Sequence, residues 1–319
     1  MPAVGKKLHH KVARFYLKAW DVQGRNARDA QLFCLQNDGI RRDNLRNVGA
    51  ENRFYELREM SESDVTFVRE AAIAGSPEWL KPHHERLVRC FSLPHRVQKK
   101  LEARGNLTPE QMAPIHGLIA EMNEDFHTSI EEGFKPFLAS MLAGDLSFYT
   151  DPRETTSFFW GIAAQYLRTD LVKKAQRMLK GNKFEVFERT ANILVHIYAV
   201  NLGYNLYAYR EQYRIILLEN HTDVPFVTAD QPVINIASNP TDTNEPEKFE
   251  LYYPLSPTKA MLLVDPSSEH LPSDSSVSPI SVHLYNSHMA ARSYQQIYGS
   301  TRQILESVRA DLPAVRSCF

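Results

Sequence analysis

Between about residue 64 and residue 213, apolar residues recur at three- and four-residue steps, while on either side they come in short runs broken by turn residues. The long middle therefore reads as helical and the two flanks as strand-rich. Thr108-Pro109-Glu110-Gln111 is a strong helix start, with an N-cap hydroxyl, proline at the first helical position and glutamine closing the box. Behind it Ile115, Leu118, Ile119, Met122, Phe126 and Ile130 form one apolar stripe, which is core and not a cofactor seat. Ser61 with Asp64 opens an earlier helix, and Asp151-Pro152-Arg153-Glu154 opens a later one. Pro77, Pro82 and Pro94 cut the first part of this region into short pieces. Gly181-Asn182 is a stop, and a last apolar helix runs to about Tyr213. Glu124, Asp125, Glu131 and Glu132 look like an acidic cluster, but helical spacing places most of them on the solvated face.

The N-terminal flank starts with a short amphipathic helix, with Val12, Phe15, Tyr16 and Ala19 on one side, His10 just before its first turn and Gly24 after it. Gln31–Gln36 and Ile40–Arg42 around Asn37-Asp38-Gly39 make a hairpin, and 52–57 is a further strand. On the C-terminal side 214–218, 226–228, 251–253 and 260–264 are strands. Polar loops cover 239–247 and 266–279, 280–284 is a strand, 286–299 turns helical, and a helix over 302–310 closes the chain. The expected fold class is α+β: a central helical layer packed on a mixed or antiparallel sheet formed by N- and C-terminal strands. No linker divides the four parts (9–57, 61–213, 214–299 and 302–310), so the chain reads as one domain.

The totals change this picture little. With 319 residues, 43% hydrophobic and 24% charged, the composition is that of an ordinary globular protein. A formal net charge of -1 supplies no global field for nucleic acid or anionic membrane. Cys34, Cys90 and Cys318 are scattered and lack zinc spacing, which fits a reducing cytoplasm. The first ten residues lack the apolar core of a signal peptide, and the apolar region from Ile193 to Tyr209 is interrupted by His196, Asn201 and Asn205, too polar for a membrane span. Nucleotide-binding glycine loops, HExxH, GxSxG and EF-hand patterns are absent. The adjacent pairs His9-His10 and His83-His84 are weak as metal sites, because neighbouring residues on a helix do not face one ligand.

Three side chains draw attention. Asp230, in Phe226–Ile234, is a lone carboxylate between an apolar run and Pro232, and burial there demands a partner. Arg168 and Gln165 share a helix face with apolar Ile162 and Leu171, so the guanidinium needs a buried carboxylate or an anionic ligand. Asp230 is the natural partner in the first case. His10 is either a capping histidine or an active-site base, since imidazole titrates near neutrality.

Taken together, several stretches resemble the bacterial proteins catalogued as domain of unknown function 4238. The family's opening pattern, His-Tyr-Val-Pro-x-Phe-Tyr-Leu-x-x-Phe, reads here His10 to Trp20, with Lys11 and Ala13 in place of the tyrosine and proline. Its Gln-x-x-Arg-Thr matches Gln165 to Thr169, and its Phe-[Val/Ile]-Thr-Ser-Asp-x-Pro-Val matches Phe226 to Val233 with Ala229 for serine. Pro-Leu-Ser-Pro matches Pro254–Pro257, and a following asparagine matches Asn286. The resemblance implies no established reaction. It does group His10, Tyr55, Gln165, Arg168, Asp230 and Asn286.

Two functions follow as expectations. In the first, the chain is a hydrolase acting on phosphodiesters, a nuclease or nucleotide hydrolase. His10 is its acid or base, Asp230 an orienting or divalent-metal-binding partner and Arg168 an anion clamp, while Tyr55, Gln165 and Asn286 contact substrate. Its partners would be nucleic acid or nucleotide, and a toxin-like or antiphage defence role fits by analogy. In the second, the protein is a non-catalytic binding or regulatory protein and the same residues form a structural polar network. Metal requirement and oligomeric state are not written in the sequence.

Overall fold

The computed structural model describes residues 8–23, 30–36, 39–105, 107–178, 181–239, 248–272 and 274–310, with backbone alone for 169–178, 182 and 310. Gly24, Asn37, Asp38, residues 240–247, Cys318 and the side chain of Leu171 lie outside this description. The strands are β1 (Leu8–His10), β2 (Gln31–Gln36), β3 (Gly39–Asn44), β4 (Ala50–Asn52), β5 (Arg214–Glu219), β6 (Thr228–Ala229), β7 (Ile234–Asn235), β8 (Leu251–Ser256), β9 (Lys259–Val264) and β10 (Gln296–Gly299). The helices are α1 (Arg14–Leu17), α2 (Glu62–Val68), α3 (Lys81–Arg104), α4 (Pro109–Leu142), α5 (Pro152–Met178), α6 (Asn182–Ala208), α7 (Pro279–Arg292) and α8 (Arg302–Ala310).

The fold is α+β. One antiparallel sheet, ordered β3-β2-β10-β6, joins strands from both ends of the chain, as the sequence pattern predicts. A second antiparallel sheet, β5-β9-β8-β7, draws only on the C-terminal flank, and β1 pairs with β4 in a two-stranded ribbon. The near-continuous apolar runs of β8 and β9 follow from burial on both faces. Leu251, Tyr253, Leu255, Met261 and Leu263 pack with the phenylalanines of α4 and α5. Tyr252, Leu262 and Val264 face the other way, toward α7, α8 and β10. A third cluster holds α2, α3 and the start of α4 against α6.

The capping boxes at Ser61 and Thr108 form, with side chain and backbone bonded reciprocally. Four expectations are corrected. The strand expected over 52–57 stops at Asn52, and Arg53, at φ 52, begins a turn. Residues 8–10 are a strand, and the helix behind them is confined to Arg14–Leu17 with a 3-10 turn to Trp20; Ala13, the N-cap, is extended at φ -60, ψ 127. Pro94 sits inside α3 instead of breaking it, and the carbonyl it strips of a partner belongs to exposed Cys90, where water can take over. Residues 280–284 are helical and 296–299 extended, the reverse of the pattern reading. Ser278 caps α7 through the Ser281 N–H with Pro279 in its first turn, and β10 owes its extension to pairing with β2 and β6.

Candidate functional site

The alternation of β1 points His9 inward and His10 outward along the ribbon. His9 is fully buried, and its Nδ1 accepts the Tyr55 N–H at 2.9 Å while Nε2 lies 3.4 Å from Glu124 Oε2. His10 donates from Nε2 to the Arg46 carbonyl at 3.1 Å, which leaves Nδ1 as a lone pair. Burial, with Arg14 nearby, lowers the His10 pKa. Lys11, buried, reaches Glu51 at 3.1 Å and Gln295 at 3.4 Å, with its ammonium over the rings of Phe54 and Tyr294.

Opposite this ribbon, Glu124, His127 and Glu131 share one face of α4, at steps of three and four. Arg168 enters from α5, only 2% exposed. Its Nη1 donates to Glu131 Oε1 at 2.7 Å and to the Lys11 carbonyl at 2.8 Å, and its Nη2 lies 3.4 Å from His127 Nδ1. The guanidinium also lies 5.9 Å from the centre of the Tyr55 ring, while its Nε has no hydrogen-bond partner among the described residues. A guanidinium has no acceptor, so His127 Nδ1 must accept and the neutral ring carries its proton on Nε2. Behind it the His196 ring lies tilted by 41° at 4.6 Å and bonds Asn123 at 2.7 Å. Burial, the Arg168 charge and His196 push the His127 pKa well down, and burial with Arg168 takes His196 to about 3. Both imidazoles are neutral at physiological pH.

Tyr55 and His127 form a partition with a cleft on each side. The wider cleft, about 360 Å³, is lined by His10, Arg14 and Phe15 on one wall and by Glu124, Thr128 and Glu131 on the other. The narrower, about 190 Å³, meets Arg168, Phe54, Phe187, Glu188 and Asn192. The structure thus places His10 in the wider cleft and Arg168 in the narrower, with Tyr55 lining both. Gln165 is buried on α5 one turn before Arg168, but lines neither cleft.

Asp230 and Asn286 line neither cleft either, and both are tied to backbone. Asp230, fully buried, accepts N–H bonds from Tyr294 at 2.8 Å, Gln295 at 2.6 Å and Gln296 at 3.0 Å, fixing the entry to β10. Asn286 accepts from the Val227 N–H at 2.9 Å and donates to the Pro225 carbonyl at 3.0 Å, from the middle of α7 instead of a helix start. Arg168 thus pairs with Glu131 and not with Asp230.

Residues 8–303 match the family model described as protein of unknown function (DUF4238). The chain belongs to the DUF4238 family. No curated protein and no solved structure matches it. The DUF4238 match covers both walls of both clefts.

For this DUF4238 chain, sequence reasoning missed His9, Glu124, His127, Glu131 and His196. The signal was a histidine three residues after Glu124 and four before Glu131, on what reads as a solvated face. Glu124 and Glu131 are in fact only 12% and 15% exposed, whereas Asp125 and Glu132 do face solvent. No group of three or more His, Cys, Asp or Glu side chains among the described residues is arranged to hold a metal ion. Nor is any described helix long and apolar enough to cross a membrane.

Proposed function

We propose that this DUF4238 protein is a binding protein, with a small polar ligand seated in the wider cleft and the surrounding ion pairs serving as its frame. The observation that carries this is the state of Arg168. It is buried and already bonded to Glu131 and the Lys11 carbonyl, so it holds the wall in place and is not poised as an anion clamp. Asp230, committed to three backbone N–H groups, has the bonding of a structural carboxylate. What remains turned to the cleft is a rigid, pre-formed set of polar atoms, which favours selective binding.

The test is a fragment screen by saturation-transfer NMR on wild type and Thr128→Trp. Thr128 is an exposed residue of the cleft wall, outside the ion-pair network. Fragments that bind wild type and are lost in the variant support the reading; a screen without such fragments refutes it.

Phosphodiester hydrolysis is the second reading, and His10 favours it. His10 lines the cleft, its Nε2 is engaged with the Arg46 carbonyl and its pKa is lowered, so the neutral ring keeps Nδ1 as the lone pair a general base requires. Nucleic acid and nucleotides are the substrates this reading names, and antiphage defence the role it suits. Cleavage of a bis(4-nitrophenyl) phosphate probe by wild type, abolished in His10→Ala and measured with and without divalent metal, decides for it. No cleavage under either condition decides against it.

A further inference from the structure

We propose that the wider cleft takes a nucleoside monophosphate, with its base against the α4 wall and its phosphate at Arg14. This rests on the binding reading and gives its ligand a chemical class. The α4 wall presents an acceptor, a donor and an acceptor in sequence: Glu124, the His127 Nε2–H and Glu131. His127 is 3% exposed and lines the cleft, and its Nε2–H has no partner among the described residues. It is a donor built into the wall and waiting for an acceptor.

The group that suits this wall is neutral and carries both donors and acceptors. A cation finds Glu131 already compensated by Arg168 and Glu124 facing His9. An anion meets two carboxylates. A nucleobase, with ring-nitrogen and carbonyl acceptors beside N–H donors, gives the His127 Nε2–H an acceptor and brings donors, not charge, to the two carboxylates beside it. Phe15, half-buried on the opposite wall, already has the Lys135 ammonium 4.9 Å from its ring centre, so a base stacks only on the face that Lys135 leaves open, a contact worth about 1–3 kcal/mol per base in other proteins.

Charge changes sign toward the solvent. Arg14 is exposed, lines the same cleft and has no charge partner among the described residues, in contrast to Lys135, which pairs with Glu132. A ligand with a neutral body and an anionic end is oriented by this gradient, with its phosphate outermost. The volume of about 360 Å³ lies at the small end of ligand sites, about 300–1,000 Å³, and suits one nucleotide but not a strand.

Isothermal titration of the full chain at pH 7.5 tests this with the four 5′-monophosphates, their nucleosides, inorganic phosphate and a 5′-phosphorylated oligonucleotide. The expected result is saturable binding of at least one monophosphate. Arg14→Gln should weaken it by about tenfold, the loss of one exposed charge-assisted contact, and leave the matching nucleoside unchanged. Glu124→Gln should weaken nucleoside and monophosphate alike, with thermal melting confirming that both variants fold. The proposal is overturned if no monophosphate binds while fragments still occupy the cleft, an outcome that leaves the binding reading standing. Equal affinities in wild type and Arg14→Gln overturn it too, as does tighter binding of the oligonucleotide or of phosphate alone.

Discussion

Lowering the pH from 7.5 to 5.0 perturbs the buried imidazoles behind the cleft. His127 and His196 are held neutral in the folded chain, both by burial and by the Arg168 charge, with His196 at about 3. In the unfolded chain each titrates near the ordinary value of about 6.5. The folded pKa is depressed, so both states are neutral above that value and stability is at its plateau. Below it the unfolded chain gains protons that the folded chain refuses, and stability falls as pH drops toward the folded pKa. At pH 5.0 the cost is about 2 kcal/mol per imidazole, or about 4 kcal/mol for the pair, against a total of about 5–15 kcal/mol. Other groups do not offset this. His10, His84 and His288 are lowered as well, and so act in the same direction. Asp64, held at about 2 by the Arg189 guanidinium, contributes stability that is present above the unfolded value and lost only in stronger acid. Urea midpoints at pH 7.5, 6.0 and 5.0 measure the effect in wild type and His196→Gln, which keeps a polar partner for Asn123 but cannot titrate. The variant should lose about half of the pair's share of the pH dependence. A flat wild-type profile, or an identical slope in the variant, refutes the reasoning.

Three further outcomes follow from the contacts. Asp230→Ala orphans the Tyr294, Gln295 and Gln296 N–H groups and should cost about 3–5 kcal/mol by chemical denaturation, while fragment binding persists wherever the variant folds. Arg168→Met removes one of the charges that depress His127, so the His127 pKa should rise toward its ordinary range in an NMR titration, with stability lower by about 3 kcal/mol. Gly203→Ala places a Cβ 2.9 Å from the Trp160 Cα where α6 crosses α5, and should lower stability by about 1–3 kcal/mol in thermal and urea melts.

Local signals carried much of the fold. Hydroxyl caps before proline, as at Thr108-Pro109, and the two-residue rhythm of β2 and β3 need only neighbours in sequence, so they could be read directly. The errors fall where tertiary pairing decides. Leu8–His10 shows no strand signal of its own, because the pattern that follows, Val12, Phe15 and Tyr16, is helical, yet pairing with residues 50–52 takes it into a ribbon. Gln296–Gly299 has no strand pattern of its own and is extended because Ile297 and Tyr298 meet partners on both sides. The same limit applies to the site. Sequence identified Arg168 as a cation on an apolar face that needs an anion, but the choice between Asp230 and Glu131 depends on how α4 crosses α5. Tyr55 and His10, which the sequence singles out, line the wider cleft, whereas His127 is not legible there because a lone histidine among acidic residues reads as solvated surface.

The most direct test of the central claim is the imidazole ¹⁵N spectrum of His127 in histidine-labelled protein, titrated with the fragments that bind. The account predicts a neutral ring protonated on Nε2 at pH 7, with the Nε2 resonance shifting on binding and the Nδ1 resonance held by Arg168. A ring protonated on Nδ1, or an Nε2 resonance that no bound fragment moves, contradicts it.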